Sequence, residues 1–471
     1  MAKRKIISAI DVGTTKIATI IANVRAEDNI EVLGVGVVPC RGLHKGIVVN
    51  MDEAKQSIAA SVKEAQRASG IRIDSAYVGV IGRHINSFIN RGVVAIPHGD
   101  RLVRPQDLKR VLSAARSVPV PEGKRVLHAI PRSYAVDGQE MIKEPVGMHG
   151  TKLTVETNII TASASSIQNL LKCVRIAGVD VEDLILEPLA SAEAVLTPEE
   201  RETGVIMADI GGGTTDISVF KNGSIYHTSM LPIAGYQVTS DISIGLGLPF
   251  NIADEMKAKY GNVTPNLELD KKVQVEENGH SVSHHTLCQI IRSRMEELLD
   301  FILLEIPTTD YHSLVPSGLV LIGGTANLTG LVDLGQSVLH MPVRKGQIST
   351  SIHGVTDILL DPAFATTVGL ILWQAREWGG AARQVKVKQP RELTGFPRAR
   401  AFFESNHSKL LSKYEGKYIA ISNTKVIDVD GDFSLLAERV YSRHGYKDIY
   451  MPKVERKGTI LHIPAPHVRK G

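Results

Sequence analysis

An apolar run that ends in Asp-x-Gly and a pair of threonines occurs twice in this chain, at residues 6–15 and 206–215. The first copy reads Ile6-Ile7-Ser8-Ala9-Ile10-Asp11-Val12-Gly13-Thr14-Thr15, the second Ile206-Met207-Ala208-Asp209-Ile210-Gly211-Gly212-Gly213-Thr214-Thr215. Each predicts a buried strand that turns sharply. A second apolar strand follows each turn, Ile17–Val24 in one copy and Ile217–Phe220 in the other. A polar turn then leads to a third strand, Glu31–Val38 or Ser224–Leu231. The two aspartates stand roughly 200 residues apart, far beyond the period of a stacked repeat, so the pattern marks a domain-scale duplication.

The residue types suit one chemistry. Glycine after a strand lets backbone N–H groups approach phosphate oxygens with no Cβ between, and threonine hydroxyls add donors. Asp11 and Asp209, at strand ends, would repel a phosphate; a hydrated Mg²⁺ between them and it removes that repulsion. Lys16 follows the first turn and can reach a β-phosphate as a point charge. Ordinary hairpins with glycine turns would show the same strands, but not Asp, Gly and paired Thr in register in both copies. Two such hairpins facing across a cleft would hold a polyphosphate.

These motifs resemble the two phosphate loops of the actin, DnaK-chaperone and sugar-kinase superfamily. Three further segments resemble it, in the same order. Residues 184–196, with Glu187, Pro188, Ala190 and Ala192, look like the first connecting helix, where small residues let two helices cross closely. Residues 319–330, with Gly323, Gly324 and Thr325, look like the adenosine loop: an apolar strand, a Gly-Gly turn and a helix start. Residues 361–372, with Ala365 and Gly369, look like the second connecting helix. The resemblance implies ATP with Mg²⁺. It assigns Asp11, Gly13, Thr14, Thr15 and Lys16 to the β-phosphate and metal. Asp209, Gly211, Gly212, Gly213, Thr214 and Thr215 go to the remaining phosphates and the metal's water shell, so Asp11 and Asp209 are the metal residues. Gly323, Gly324 and Thr325 would contact the nucleoside, and Asp254 and Lys257 the ribose or adenine, although on so charged a helix display to solvent is the plainer reading. Glu187 stands where the superfamily puts the catalytic carboxylate that orients the attacking water for γ-phosphoryl transfer. An acid satisfying the helix dipole ahead of Pro188 is an equal alternative.

The stretch between the first hairpin and Glu187 separates subfamilies. Residues 52–69 have an apolar face with Ala54, Ile58, Ala65 and Ala68, and predict a helix ending at Gly70. A strand at 76–81 precedes an insert, residues 83–162. The insert predicts a short strand pair (Asn86–Asn90, Val93–Ile96), a helix Gln106–Ala115 opened by Pro105, and strands at Val126–Tyr134, Met141-Ile142 and Lys152–Thr161. That is a small α+β domain placed inside the first half. Its segments around His128–Tyr134, Pro145–Leu153 and Ile159–Ala162, with Ile233–Leu246 and Ala253–Lys257 beyond the second loop, resemble the FtsA family of bacterial cell-division proteins, over about residues 5–380 in all. The expected fold class is α/β: duplicated actin-like (ribonuclease H-like) halves around a nucleotide cleft, an inserted small α+β domain and a C-terminal α/β module. The expected segments are 1–82, 83–162, 163–200, 201–380, a basic linker 381–400 and a module 401–471.

By that resemblance the chain is an ATP-binding scaffold that self-associates into filaments at the division site, on the cytoplasmic face of the inner membrane. It links the FtsZ ring to the membrane or to other divisome proteins, with FtsZ expected near residues 233–310 and ATP turned over slowly at most. The actin-like adaptors of pilus assembly share the same motifs. A small-molecule kinase of the superfamily would share them too, but needs a general base facing an acceptor pocket, for which no motif is found.

Composition narrows the partners. A net charge of +4 over 471 residues implies no nucleic-acid partner. Three scattered cysteines, Cys40, Cys173 and Cys288, fit a reducing cytosol and no disulfide scaffold. The first apolar run breaks at Asp11, too early for a signal-peptide core, and none approaches the ~18 apolar residues of a membrane span. His280, His284 and His285 lie in a polar stretch and read as a solvated loop before a metal site; residues 288–306 read as an amphipathic core helix. The tail predicts a helix at 401–413, strands Lys417–Ser422 and Lys425–Val429, a helix Ser434–Ser442, and strands Asp448–Val454 and Thr459–Ile463. It resembles a small bacterial domain, where the FtsA family ends in an amphipathic membrane helix. The basic linker with Phe402 and Phe403 would meet an anionic membrane surface at about 1 kcal/mol per basic residue; alternatively, and preferred here, the two rings pack on the tail module.

Overall fold

The computed structural model describes residues 5–26, 29–118, 120–264, 272–274, 281–308, 310–348, 352–354, 357–379, 396–422, 424–444 and 449–455. They fall into two units, divided between Lys386 and Val387.

In the first unit each sequence motif is the hinge of a hairpin at the centre of a sheet. Strand Lys5–Val12 runs antiparallel to Lys16–Ala26, with Val12 opposite Ile17, which leaves Gly13–Thr15 as the turn. On its other side it runs parallel to Ser75–Val80. The sheet continues outward through Asp180–Leu186 on one flank and Asn29–Pro39 on the other, and Ile352–Gly354 closes the far edge. The second half repeats the plan. Strand Val205–Ile210 pairs antiparallel with Thr215–Lys221 and parallel with Leu319–Ile322, flanked by Ser224–Leu231 and Val343–Lys345. Strands of this kind are covered on both faces, so Ile7 to Val12 are all buried and their run is continuous instead of alternating.

Helices cover the sheets. Met51–Ser69 is capped by Asn50 Oδ1, which accepts from the Asp52 and Glu53 amides, and ends at Gly70 in the left-handed region (φ 68°). It lies against the Asn29–Pro39 strand, where a Cβ on Gly36 would fall 2.1 Å from the Ser61 carbonyl. Glu187–Val195 and Ala365–Gly379 cross between the halves, and a Cβ on Gly369 would stand 1.9 Å from the Ala190 carbonyl. Small residues at that crossing let the backbones touch. Helix His284–Leu304 buries Leu287, Ile291, Met295, Leu298, Leu299 and Ile302 in the core of the second half. His284 and His285 open that helix, His280 lies outside the described residues, and no group of three metal-ligating side chains forms among the described residues.

The insert is a four-stranded antiparallel sheet, Asn86–Ala95, Lys152–Ser163, Lys124–Val136 and Gln139–Ile142, with helix Pro105–Arg116 packed on it. The expected strand pair Asn86–Asn90 and Val93–Ile96 is one continuous strand, Asn86–Ala95. Arg91 and Gly92 stay in register with Glu156 and Val155. Gly92 marks no turn: a Cβ there would meet the Val111 carbonyl at 2.3 Å, so the glycine lets the helix approach the sheet. The insert leans on the second half, where Asn158 Nδ2 donates to the Ile225 carbonyl (3.3 Å) and the Arg132 guanidinium lies 4.6 Å from the Tyr226 ring centre.

The second unit holds helices Phe396–Ser405 and His407–Tyr414, the hairpin Tyr418–Ser422/Lys425–Asp430, and helix Phe433–His444. The single helix expected at 401–413 is two, divided at Asn406 (φ −113°, ψ 13°), whose side chain bonds back to the Phe402 carbonyl. Residues 449–454 form no strand; Tyr450 and Lys453 make isolated bridges to Ile421 and Tyr418. Phe403 is buried with Ile419, Ile421 and Tyr450, and half-buried Phe402 packs against the same cluster. Linker residues 381–395 and the expected strand Thr459–Ile463 lie outside the described residues.

Candidate nucleotide-binding site

Between the two hairpins lies a cleft of about 450 Å³. Its wall brings together Asp11, Gly13, Thr14, Thr15 and Lys16 from the first loop with Asp209, Gly211, Gly212 and Thr214 from the second. Glu187, Asp254, Lys257, Gly323, Gly324 and Thr325 line it too. The loops touch: a Cβ on Gly212 would sit 2.1 Å from Thr15 Cγ2, and one on Gly213 would be 3.3 Å from Thr14 Oγ1. Of the expected residues, Gly213 and Thr215 do not line the cleft. The Thr215 side chain is fully buried and its hydroxyl donates to the Ile233 carbonyl at 2.7 Å. Successive residues of a strand point to opposite faces, so Thr214 and Asp216 share the cleft face and Thr215 does not.

The second connecting helix anchors both aspartates. Thr367 Oγ1 donates to Asp11 Oδ2 at 2.7 Å, and Thr366 Oγ1 to Asp209 Oδ2 at 3.4 Å. Gly323 takes φ 85°, and a Cβ on it would stand 2.4 Å from Asp209 Oδ1, so the adenosine-loop glycine is needed both for its turn and for room beside the carboxylate. Thr325 Oγ1 donates to the Gly211 carbonyl at 3.1 Å and ties the same loop to the phosphate loop. Gly324 opens a 3-10 turn, Gly324–Asn327; the helix itself begins at Leu331. Asp254 and Lys257 do not simply face solvent. Lys257 Nζ donates to Asp254 Oδ1 (2.6 Å), Thr239 Oγ1 (2.7 Å) and the Gly235 carbonyl (3.1 Å), which pins the helix Phe250–Tyr260 to the cleft edge.

Burial dominates the electrostatics. It raises the Asp11 carboxyl above its usual range against the Thr367 bond and the Lys16 charge. It raises Asp209 to about 6, with Asp11 adding to the rise and Lys16 opposing it. Glu187 and Asp216 are pushed well up, first by burial and then by neighbouring carboxylates: Asp11, Asp216 and Asp209 for Glu187, and Asp209 for Asp216. Lys16 is lowered by burial; its ammonium donates to the Ala363 carbonyl at 2.6 Å and lies 3.4 Å from the centre of the Phe364 ring. Five acids thus share the cleft with two lysines, one of which, Lys257, is already paired with Asp254.

Asp216 was not foreseen, although Thr214-Thr215-Asp216 stands in the sequence and the period-2 rule would have placed it. It is cross-strand partner to Asp209, and its Oδ1 is buried with no hydrogen-bond partner. An orphaned carboxylate oxygen in an acid-rich cleft fits a divalent cation. The acids do not converge as a bare-ion cage, so a cation that keeps its own waters and phosphate ligands suits them, which is the habit of Mg²⁺.

Comparison with known proteins identifies relatives. Residues 206–369 match the family described as cell division protein FtsA, and residues 82–161 match the SHS2 domain inserted in FtsA. Residues 409–457 match a family of unknown function (DUF5678). The chain is 42% identical to the cell division protein FtsA of Pseudomonas aeruginosa over 374 residues, which covers 78% of this chain and 89% of that protein. To the FtsA of Bacillus subtilis it is 35% identical over 389 residues, 82% of this chain and 87% of that protein. Among solved structures, one titled PilM-PilN type IV pilus biogenesis complex is similar in fold, with TM-score 0.55 and 16% identity over 78% of this chain and 98% of that one.

Proposed function

Since the chain belongs to the FtsA family and is therefore an actin-like cell-division protein, we propose that it binds Mg–ATP in the cleft and assembles at the division site as a scaffold that engages the FtsZ ring. One observation carries the nucleotide reading: Asp11 and Asp209, each at the end of a central strand and each bonded to the second connecting helix, line one cleft together with the glycine turns. The loops' backbone amides and Thr14 hold phosphate oxygens. Asp11, Asp209 and the unpartnered Asp216 oxygen would hold a hydrated magnesium ion, which would supply neutralisation of phosphate charge. Lys16 exchanges the Ala363 carbonyl for a phosphate oxygen. Gly323 to Thr325 take the nucleoside, with Asp254 and Lys257 at its ribose. Glu187, first residue of the connecting helix, orients a water toward the terminal phosphate; burial and three acidic neighbours push its carboxyl well above the usual carboxylate range.

Nucleotide between the halves favours the state in which both hairpins grip it, and that state is the one that assembles. Work at the cytoplasmic face of the inner membrane follows from the same family reading. Among the described residues no helix is long and apolar enough to cross a membrane. Co-sedimentation with FtsZ, with Mg–ATP and without nucleotide, tests the proposal. FtsZ-dependent pelleting that rises with Mg–ATP is expected, with filaments of the chain visible by electron microscopy; no association with FtsZ under any nucleotide condition would contradict it.

A further inference from the structure

Glu187 also faces a second, smaller space. A cavity of about 10 Å³ lies behind the cleft, near the ends of strands Ser75–Val80 and Asp180–Leu186, and three polar side chains line it: Glu187, His84 and Ser166. The remaining lining is apolar side chains and the glycines Gly46 and Gly79. Both ring nitrogens of His84 are buried with no partner. Leaving such a group unsatisfied costs on the order of 1–3 kcal/mol, and a space of this size with three polar neighbours accommodates one water.

The backbone is shaped around these two side chains. A Cβ on Gly79 would stand 3.2 Å from Glu187 Oε1, and one on Gly82, which takes φ 139°, would stand 2.9 Å from His84 Nδ1. His84 lies in the turn closed by the Ile85 amide on the Gly82 carbonyl, where the chain leaves the first half for the insert. From the insert itself, His128 Nε2 accepts from the Leu186 amide at 3.0 Å, one residue before Glu187. Two histidines thus bracket the start of the Glu187 helix.

We propose that His84 is a positioning residue: through a single water shared with Ser166, it holds the Glu187 carboxyl in its orientation toward the nucleotide. This rests on the reading of the cleft given above. With the anchor in place, the carboxylate keeps a fixed distance from a terminal phosphate; without it, the side chain turns and its repulsion of a third phosphate changes. ATP and ADP are therefore affected unequally.

Calorimetry of the full chain tests this, with Mg–ATP and Mg–ADP as titrants. The variants are His84→Phe and His84→Gln, each made with Glu187 present and with Glu187→Gln. With Glu187 present, His84→Phe is expected to shift the ATP-to-ADP affinity ratio at least fivefold and His84→Gln less than twofold. In the Glu187→Gln background His84→Phe is expected to shift it less than twofold. An equal shift in both backgrounds, or no shift in either, overturns the inference. Should His84→Phe fail to fold, Ser166→Ala removes the third polar partner without adding volume; it is expected to shift the ratio twofold or more, and silence there overturns the inference. A wild-type chain that binds neither nucleotide overturns the cleft reading and this inference together, whereas binding without coupling overturns this inference alone.

Discussion

Burial moves Asp209 and His128 in opposite directions, up for the acid and down for the imidazole, and both shifts can be measured. The Asp209 carboxyl is held at about 6 by burial and by Asp11, so below that pH the free cleft carries a proton that a metal-bound phosphate must displace. Mg–ATP affinity is expected to be about tenfold weaker at pH 5 than at pH 7, and Asp209→Asn should flatten that step; calorimetry across the range checks it. His128 is buried against Trp373 and accepts the Leu186 amide on Nε2, which requires the neutral ring, and burial lowers it to about 4. The unfolded chain takes up a proton near pH 6.5 that the folded chain refuses until about 4. The contribution is therefore complete above pH 6.5 and is lost on acidification toward 4, by about 3 kcal/mol. Urea unfolding at pH 7 and pH 5 should show a smaller loss in His128→Gln, which keeps an acceptor without the charge; an identical loss would contradict the assignment. At this scale the sequence carried Asp11, Asp209 and the glycine turns plainly, because a motif repeated in register is hard to mistake. It carried Asp216 less plainly, since only the strand's alternation separates it from Thr215. It gave no sign that His84 and Glu187, more than 100 residues apart, meet at one cavity; adjacency of that kind comes from the pairing of Ser75–Val80 with Asp180–Leu186.

The connecting helices are the elements that join the site to the rest of the fold. Their crossing at Gly369 and Ala190 leaves no room for a methyl group, and the bond between Ser191 Oγ and Thr366 Oγ1 (2.8 Å) lies beside it. Gly369→Ala is expected to cost about 1–3 kcal/mol and to displace Thr366 and Thr367 from their aspartates. Both the melting temperature and Mg–ATP affinity should then fall; a variant that melts like wild type would show that the crossing yields. The helices expected at 52–69 and 288–306 were legible from their apolar faces and, in the first, from Gly70 at its end; the structure has them at Met51–Ser69 and His284–Leu304, the starts set by the caps Asn50 and Ser283. Gly92 was misleading because glycine breaks a strand in one context and admits a helix in another, and only the helix Pro105–Arg116 overhead decides which. The tail's helix at 401–413 was read as one because its apolar residues keep helical spacing past Asn406, although the backbone leaves helical geometry there.

The whole chain combines a duplicated actin-like unit with a second unit that matches a separate family. Every residue lining the cleft lies before Lys386. Removing residues 381–471 is therefore expected to leave Mg–ATP affinity within about twofold while altering whatever the tail attaches to; a tenfold loss would show that the tail takes part in binding. Liposome flotation of the full chain separates the two routes to the membrane. With Phe403 in the core of its own unit, flotation on anionic vesicles should depend on the basic residues at 383–400 and not on the aromatic pair. The duplication was legible at this scale because both halves keep the same strand order. The tail was less so, because its last segment is joined by single bridges that leave no periodic trace. The central claim remains that the two hairpins together grip a magnesium-bound triphosphate. Titration calorimetry of the purified chain addresses it most directly: one ATP per chain, taken up only with Mg²⁺ and weakened at least tenfold by Asp209→Ala, is the expected result, and no uptake, or uptake indifferent to both the metal and Asp209, would contradict it.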